Sequence, residues 1–413
     1  MNDSLPSLPL PPGIRSRFID NHNGLRMHVL EAGFEPEGRP ALLLLHGFPE
    51  LAYSWRKVML PLAQAGFHVI APDQRGYGRT TGWDGDYDGD LVSFRLSNLV
   101  RDALGLLSAM GLRSVAAVIG HDFGSPVAAC CALIRPDVFR AAVLMSAPFS
   151  GLPTFPFDTA NAPADLNAEP VTDLHADLAN LARPRKHYQW YYSSRSANDE
   201  MRHCPQGIHA FLRAYFHHKS ADWPHNQPFE LAARTADELA KLPDYYLMDL
   251  HKGMSETVAP QMPSAAHIAA CHWLPDHELA VYSSEFARTG FQGGLHWYRC
   301  QTEDNANADL RLFSGRSIDV PSCFIAGRSD WGPWQSPGAL RRMQTEACAQ
   351  MLGSHWVDAA GHWVQLEQPA EVTRQLLRFL RQARPGCGQA QHESSACPCP
   401  APRARPSRTT CPR

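Results

Sequence analysis

The sequence predicts an α/β fold: a mostly parallel sheet with helices on both faces, interrupted by an inserted helical segment. Three observations carry this expectation. Short apolar runs (ALLLL at 41–45, HVIAP at 68–72, VAAVI at 115–119 and AAVLM at 141–145) read as strands buried on both faces. Amphipathic stretches at 97–110 and 125–134 separate the later runs, and strands alternating with helices argue for parallel pairing. The alternation stops near Ala147 and resumes with SCFIAG at 322–327.

Taken in order, residues 1–14 are rich in Pro and Leu and read as a loose N-terminus. RSRFID and LRMHVLEAG then flank Asn23-Gly24, a strong hairpin signal, because both residues tolerate the positive φ that a tight turn demands. Residues 15–148 form the first part of the α/β core. Residues 149–315 hold Trp, Tyr, His and Asp with Pro breaks; helical periodicity is visible in ADLNAEPVTDLHADLANLA and DHELAVYSSEFARTG, and no strand-like run of the earlier type appears. Residues 316–383 return to the core with SCFIAG, a helix near 337–349, HWVDAAG, and a helix at 370–383. Residues 384–413 are Pro-, Arg- and Ser-rich with almost no apolar side chains, so disorder is expected.

Composition narrows the function. The net charge of −3 over 413 residues, without a basic stripe, argues against nucleic acid or an anionic membrane surface as partner. The start, MNDSLPSLPLPPGIRSR, lacks the pattern of a secretory signal, and no apolar run approaches the ~18 residues of a membrane span, so the cytoplasm is the expected location. Eleven cysteines at irregular spacing fit reduced thiols. The CPCP stretch at 397–400 lacks the paired spacing of a zinc site. No metal and no cofactor is expected, and oligomeric state stays open, a homodimer included.

The chemistry concentrates in GHDFG, residues 120–124. It has the form of a nucleophile elbow, a strand–sharp turn–helix with small residues two before and two after the apex. Here the apex is Asp122. Alone, the pentapeptide also fits an ordinary strand-to-helix turn with Asp122 capping the helix. HGFPE at 46–50 argues for the elbow. It follows a buried run directly, and backbone N–H groups of Phe48 and Phe123 can together cradle an oxygen that becomes negative.

HGFPE, DQRGYG at 73–78 and GHDFG, in that order, resemble the α/β-hydrolase fold. The aspartate apex resembles its epoxide hydrolases and its haloalkane and haloacetate dehalogenases. The likeness covers roughly residues 15–383. An aspartate is ionised at neutral pH, with a reference pKa of about 3.9, and can attack an sp³ carbon without a base. The resulting ester needs a base only for hydrolysis. GHWVQLEQP resembles the family's histidine loop and implies His362 as that base; FIAGRSDWG supplies Asp330 as its acid partner.

Halide leaves as an anion, whereas an epoxide oxygen needs a proton donor. Segments RKHYQWYYSS and GLHWYRC resemble those carrying two tyrosines in epoxide hydrolases of this fold, which implies Tyr188 and Tyr298, with Tyr191 and Tyr192 close to the first. Trp190, Trp297 and Pro49 are expected to line a pocket for a small apolar epoxide, with water as co-substrate. Phe123 departs from the Trp common at this position, and it offers only a backbone N–H. The expected reaction is hydrolysis of an epoxide to a diol. The alternatives are a dehalogenase using the same ester, or a non-catalytic ligand-binding member of the fold. Ser125 lies beyond the apex, which argues against a serine esterase.

Overall fold

The computed structural model describes residues 5–152, 155, 173–303 and 307–383. Its sheet has eight strands: β1 (Ile14–Asp20), β2 (Arg26–Ala32), β3 (Ala41–Leu45), β4 (His68–Pro72), β5 (Ala117–His121), β6 (Ala142–Met145), β9 (Ser322–Gly327) and β10 (Met351–Val357). They lie in the order β1-β2-β4-β3-β5-β6-β9-β10. Asn23-Gly24 turns β1 into β2, which pair antiparallel, and β2 pairs antiparallel with β4. From β4 onward every pairing is parallel.

The strand alternation decides what covers each face. Leu43 and Leu45 point into the layer formed with helices α2 (Leu96–Ala109) and α3 (Gly124–Ile134). Leu42 and Leu44 point the other way, onto helix α1 (Arg56–Gln64) and the helix Pro369–Gln382. All five residues of β3 are therefore buried, which explains its unbroken apolar sequence. The last helix buries Val372, Leu376 and Phe379 at helical spacing and presents its charged residues outward.

Between β6 and β9, the described residues are mainly helical, with Gly207–Lys219, Asp276–Thr289 and Gln292–Thr302 the longest helices. The expectation of no strands here is corrected. β7 (Arg185–His187) and β8 (Leu247–Asp249) pair antiparallel. Three residues are too few to show a two-residue period. The segment is tied to the core by ion pairs, Arg79 to Glu285 at 2.7 Å and Arg56 to Glu278, with both arginines buried. The helix expected near 337–349 shortens to Ala339–Arg342 and widens into a looser turn over Met343–Ala347. Residues 5–13, expected to be loose, instead pack Leu8 and Leu10 against the core, and Tyr53 donates to the Pro9 carbonyl at 3.2 Å. The tail from Arg384 lies outside the described residues, as does most of 153–172. Among the described residues no helix is long and apolar enough to cross a membrane.

One polar cluster stabilises the antiparallel edge. Glu31 of β2 is fully buried and accepts from Arg15 at 3.0 Å, from two groups of Arg17, and from His68 of β4 at 2.9 Å. Burial pushes its carboxyl up, but these donors outweigh burial and bring it down to about 2. A depressed carboxyl contributes stability above its unfolded value, and that contribution is lost as pH falls through the folded value. Glu31→Gln is therefore expected to lower stability at pH 7 by about 2 kcal/mol, discounted for the half-exposed arginines. The difference from wild type should close between pH 4.5 and about 2, as read by urea unfolding at each pH.

Candidate active site

β5 runs straight into a bend at Asp122, and α3 starts two residues later. Asp122 has φ +50°, the left-handed region that a non-glycine residue rarely adopts. The flanking glycines are needed for closeness. A Cβ on Gly120 would stand 2.0 Å from the Gly124 carbonyl oxygen, and one on Gly124 would stand 2.2 Å from that of Leu45. Strand, bend and helix therefore meet backbone to backbone. The alternative of a helix cap does not hold: Phe123 occupies the helix N-cap position without a side-chain bond, and the Asp122 side chain does not cap.

Its carboxylate is instead held from two sides. Oδ1 accepts the Phe48 N–H at 2.9 Å, and Oδ2 faces His362 Nε2 at 3.1 Å. His362 Nδ1 faces Asp330 Oδ1 at 3.0 Å, and that oxygen also accepts the Gly332 N–H at 2.7 Å. Burial pushes the Asp122 carboxyl up, but the hydrogen bond and charge of His362, followed by the charges of Lys219 and His121, hold it well below the usual range. Asp330 is likewise buried and held low by His362 and the Gly332 N–H. Both carboxylates stay ionised at neutral pH.

Two residues inside the quoted motifs, Glu50 and His121, carry more than the sequence reading gave them. Both are fully buried. His121 Nδ1 lies 2.6 Å from Glu50, and Nε2 lies 2.7 Å from the His362 carbonyl oxygen. A carbonyl only accepts, so Nε2 carries a proton. Glu50 also accepts the Gly47 N–H at 3.0 Å and Gln365 at 2.8 Å. Burial opposes charge on both groups, but their mutual attraction raises the imidazole and lowers the carboxyl, so the pair is ionic. It joins the 46–50 loop, the strand before Asp122 and the backbone of His362.

The helix Gly207–Lys219 docks on the same histidine loop. His362 N–H donates to the Lys219 carbonyl at 2.9 Å, and the Trp363 indole donates to Phe216 at 2.8 Å. Glu367 accepts from Ala221 at 2.8 Å, Gly361 at 2.9 Å and Trp363 at 3.0 Å.

Tyr188 and Tyr298 are brought together, with ring centroids 5.9 Å apart. Tyr298 stands edge-on to Phe48 at 5.5 Å and to Phe123 at 5.2 Å. The Tyr188 hydroxyl donates to Gln335 at 3.2 Å, a partner the sequence gave no sign of. Burial, and then the charge of Asp122, push both phenols well above their ordinary value. Tyr191 responds instead to Glu200 and Glu256, which distinguishes Tyr188 from its neighbour. Tyr192 sits between the two, 4.9 Å from Tyr298, with its hydroxyl 3.3 Å from that of Tyr215.

The pocket expectation is corrected for Trp297. Its indole donates to the Arg75 carbonyl at 3.0 Å, and its ring packs edge-on to Phe123 and Tyr77, so it is a core residue beneath the site. Trp190 is half-buried and lines a cavity with Leu96, Phe149, Gln189 and Gln335. Pro49 is buried in the 46–50 loop beside Phe48.

Comparison with known proteins is consistent with this geometry. A family model described as alpha/beta hydrolase fold matches residues 40–221. Epoxide hydrolase A of Mycobacterium tuberculosis is 32% identical over 388 residues, covering 88% of this chain and 96% of that protein. Among solved structures, an epoxide hydrolase from an endophytic Streptomyces superposes with a TM-score of 0.69 at 28% identity, covering 90% of this chain and 96% of that one. Epoxide Hydrolase A from Mycobacterium thermoresistibile gives 0.66 at 30% identity, covering 90% and 99%. With this likeness running through the core and the inserted segment alike, the chain belongs to the epoxide hydrolase family of the α/β-hydrolase fold and is a hydrolase.

Proposed function

We propose that this protein hydrolyses an epoxide to a vicinal diol through an ester on Asp122. One observation carries the reading: an ionised carboxylate at a left-handed apex, bound at one oxygen by a backbone N–H and at the other by a histidine, near two buried phenols. Oδ1 is already seated at Phe48, so Oδ2 is the atom that attacks the oxirane carbon. The C–O bond of the ring breaks, and its oxygen takes a proton from Tyr188 or Tyr298. The raised phenols remain protonated for this task.

Ester formation removes the Asp122 charge and leaves His362 with Asp330 as its carboxylate partner. Water enters at Nε2, gives up a proton there, and adds to the ester carbonyl. The charge arriving on Oδ1 is held by the N–H groups of Phe48 and Phe123. Collapse releases the diol and restores the carboxylate; the proton on His362 returns to the phenolate. Within residues 149–315, the described helices serve as a cap that supplies both phenols. A halide leaving group would need side-chain N–H donors, and the Trp297 indole is already engaged with Arg75. The described cysteines carry no disulfide, which supports a reducing, cytoplasmic setting.

Mass spectrometry tests the ester. His362→Ala incubated with styrene oxide should accumulate substrate mass on the peptide containing Asp122, and an unmodified peptide beside an active wild type would contradict it. Tyr298→Phe and Tyr188→Phe should each lower kcat by about 10² to 10⁴ without loss of fold, as read by steady-state diol formation and circular dichroism. Because both phenols lie above the ordinary tyrosine range, kcat should show no alkaline loss below about pH 10.

A further inference from the structure

Lys219 is a buried cation whose ammonium is in direct contact with no carboxylate among the described residues. The residue is 3% exposed at the end of the helix Gly207–Lys219. Among the described residues its ammonium forms no ion pair and no hydrogen bond. It is surrounded by aromatic rings, with Nζ 5.1 Å from the centroid of Tyr246, 5.4 Å from Tyr215 and Trp363, and 5.8 Å from Tyr245. Such contacts contribute about 0.5–2 kcal/mol each and hold a cation in place while leaving its three N–H donors free. An unpaired charge in a protein interior otherwise costs several kcal/mol.

The cage is part of the active site. Trp363 follows His362 directly, and the Lys219 carbonyl takes the His362 N–H. On the other side, the Tyr246 ring packs on Tyr188 at 5.1 Å. The ammonium is therefore one ring away from the proposed base and one ring away from a proposed proton donor. Its charge reaches Asp122, where it helps keep the carboxyl ionised. A second unpaired donor is present too: the Tyr246 hydroxyl is buried and has no partner among the described residues.

We infer that Lys219 and the Tyr246 hydroxyl form a subsite for a carboxylate carried by the substrate, so that the preferred substrates are 2,3-epoxy acids. The inference rests on the epoxide hydrolase reading above. Two free donors call for an acceptor, and a free ammonium calls for an anionic one. A carboxylate approaching the Asp122 nucleophile would be repelled, and a fixed cation beside the path removes that repulsion. The ammonium lies one ring from Tyr188, so the carboxylate belongs close to the oxirane.

The test compares trans-3-phenylglycidate with the neutral trans-β-methylstyrene oxide in wild type, Lys219→Met and Lys219→Gln. Wild type should favour the glycidate in kcat/KM by about tenfold or more, and both variants should lose that ratio mainly through KM, whatever factor the two substrates lose in common. Unreactive trans-cinnamate should bind wild type and weaken about tenfold in the variants, while neutral cinnamamide binds all three alike. Equal handling of both epoxides by wild type overturns the subsite. So does an equal loss on both substrates in the variants with cinnamate binding unchanged, which would make Lys219 only a support for Asp122. If cinnamate binding depends on Lys219 but neither epoxide is opened, the subsite stands and the epoxide reading fails.

Discussion

The site depends on one backbone constraint: the left-handed bend at Asp122. A non-glycine residue in this region is strained by ~1–3 kcal/mol and persists only where its surroundings leave no alternative. Here they leave none. Gly120 and Gly124 bring strand, helix and the end of β3 into backbone contact, closer than any side chain would allow. The Asp122 N–H is bonded to Met145 of the next strand. The bend aims the carboxylate at two groups from distant parts of the chain, the Phe48 N–H and the His362 imidazole. Neither would meet it if the residue adopted ordinary strand or helix angles.

Charge is arranged around this bend so that each group holds the state its proposed role requires. Asp122, Asp330 and Glu50 all have burial pushing towards the neutral acid, and in all three a histidine partner overrides it. The phenols have no such partner, so burial and the Asp122 charge act together and keep them protonated. The same low-dielectric interior thus favours an anionic carboxylate and neutral phenols within reach of its charge, the division of acid and nucleophile that the proposed ring opening calls for.

Much of this was legible in the sequence, and the reasons differ by element. β3 and β4 match the runs ALLLL and HVIAP residue for residue, because strands buried on both faces need continuous apolar sequence. The elbow was legible because close backbone approach demands glycine at fixed offsets. β7 and β8 were not, since their stability comes from pairing between residues 60 to 64 positions apart rather than from local pattern. Trp297 was misread because a buried indole and a pocket-lining indole have the same local sequence; only the Arg75 carbonyl distinguishes them. Glu50, His121, Gln335 and Lys219 were overlooked because a charged or polar residue declares its role through partners remote in sequence, 71 positions apart for Glu50 and His121.

The seam between the helix Gly207–Lys219 and the histidine loop has a mechanical consequence. Three sets of bonds cross it, at Phe216, Lys219 and Ala221, and two of them attach to residues adjoining His362 or to its own amide. A hinge opening along this line would drag the imidazole off the nucleophile each time a molecule came or went. Traffic that parts the Tyr188–Gln335 contact instead would break no bond to His362 or to its amide and would leave the imidazole in place.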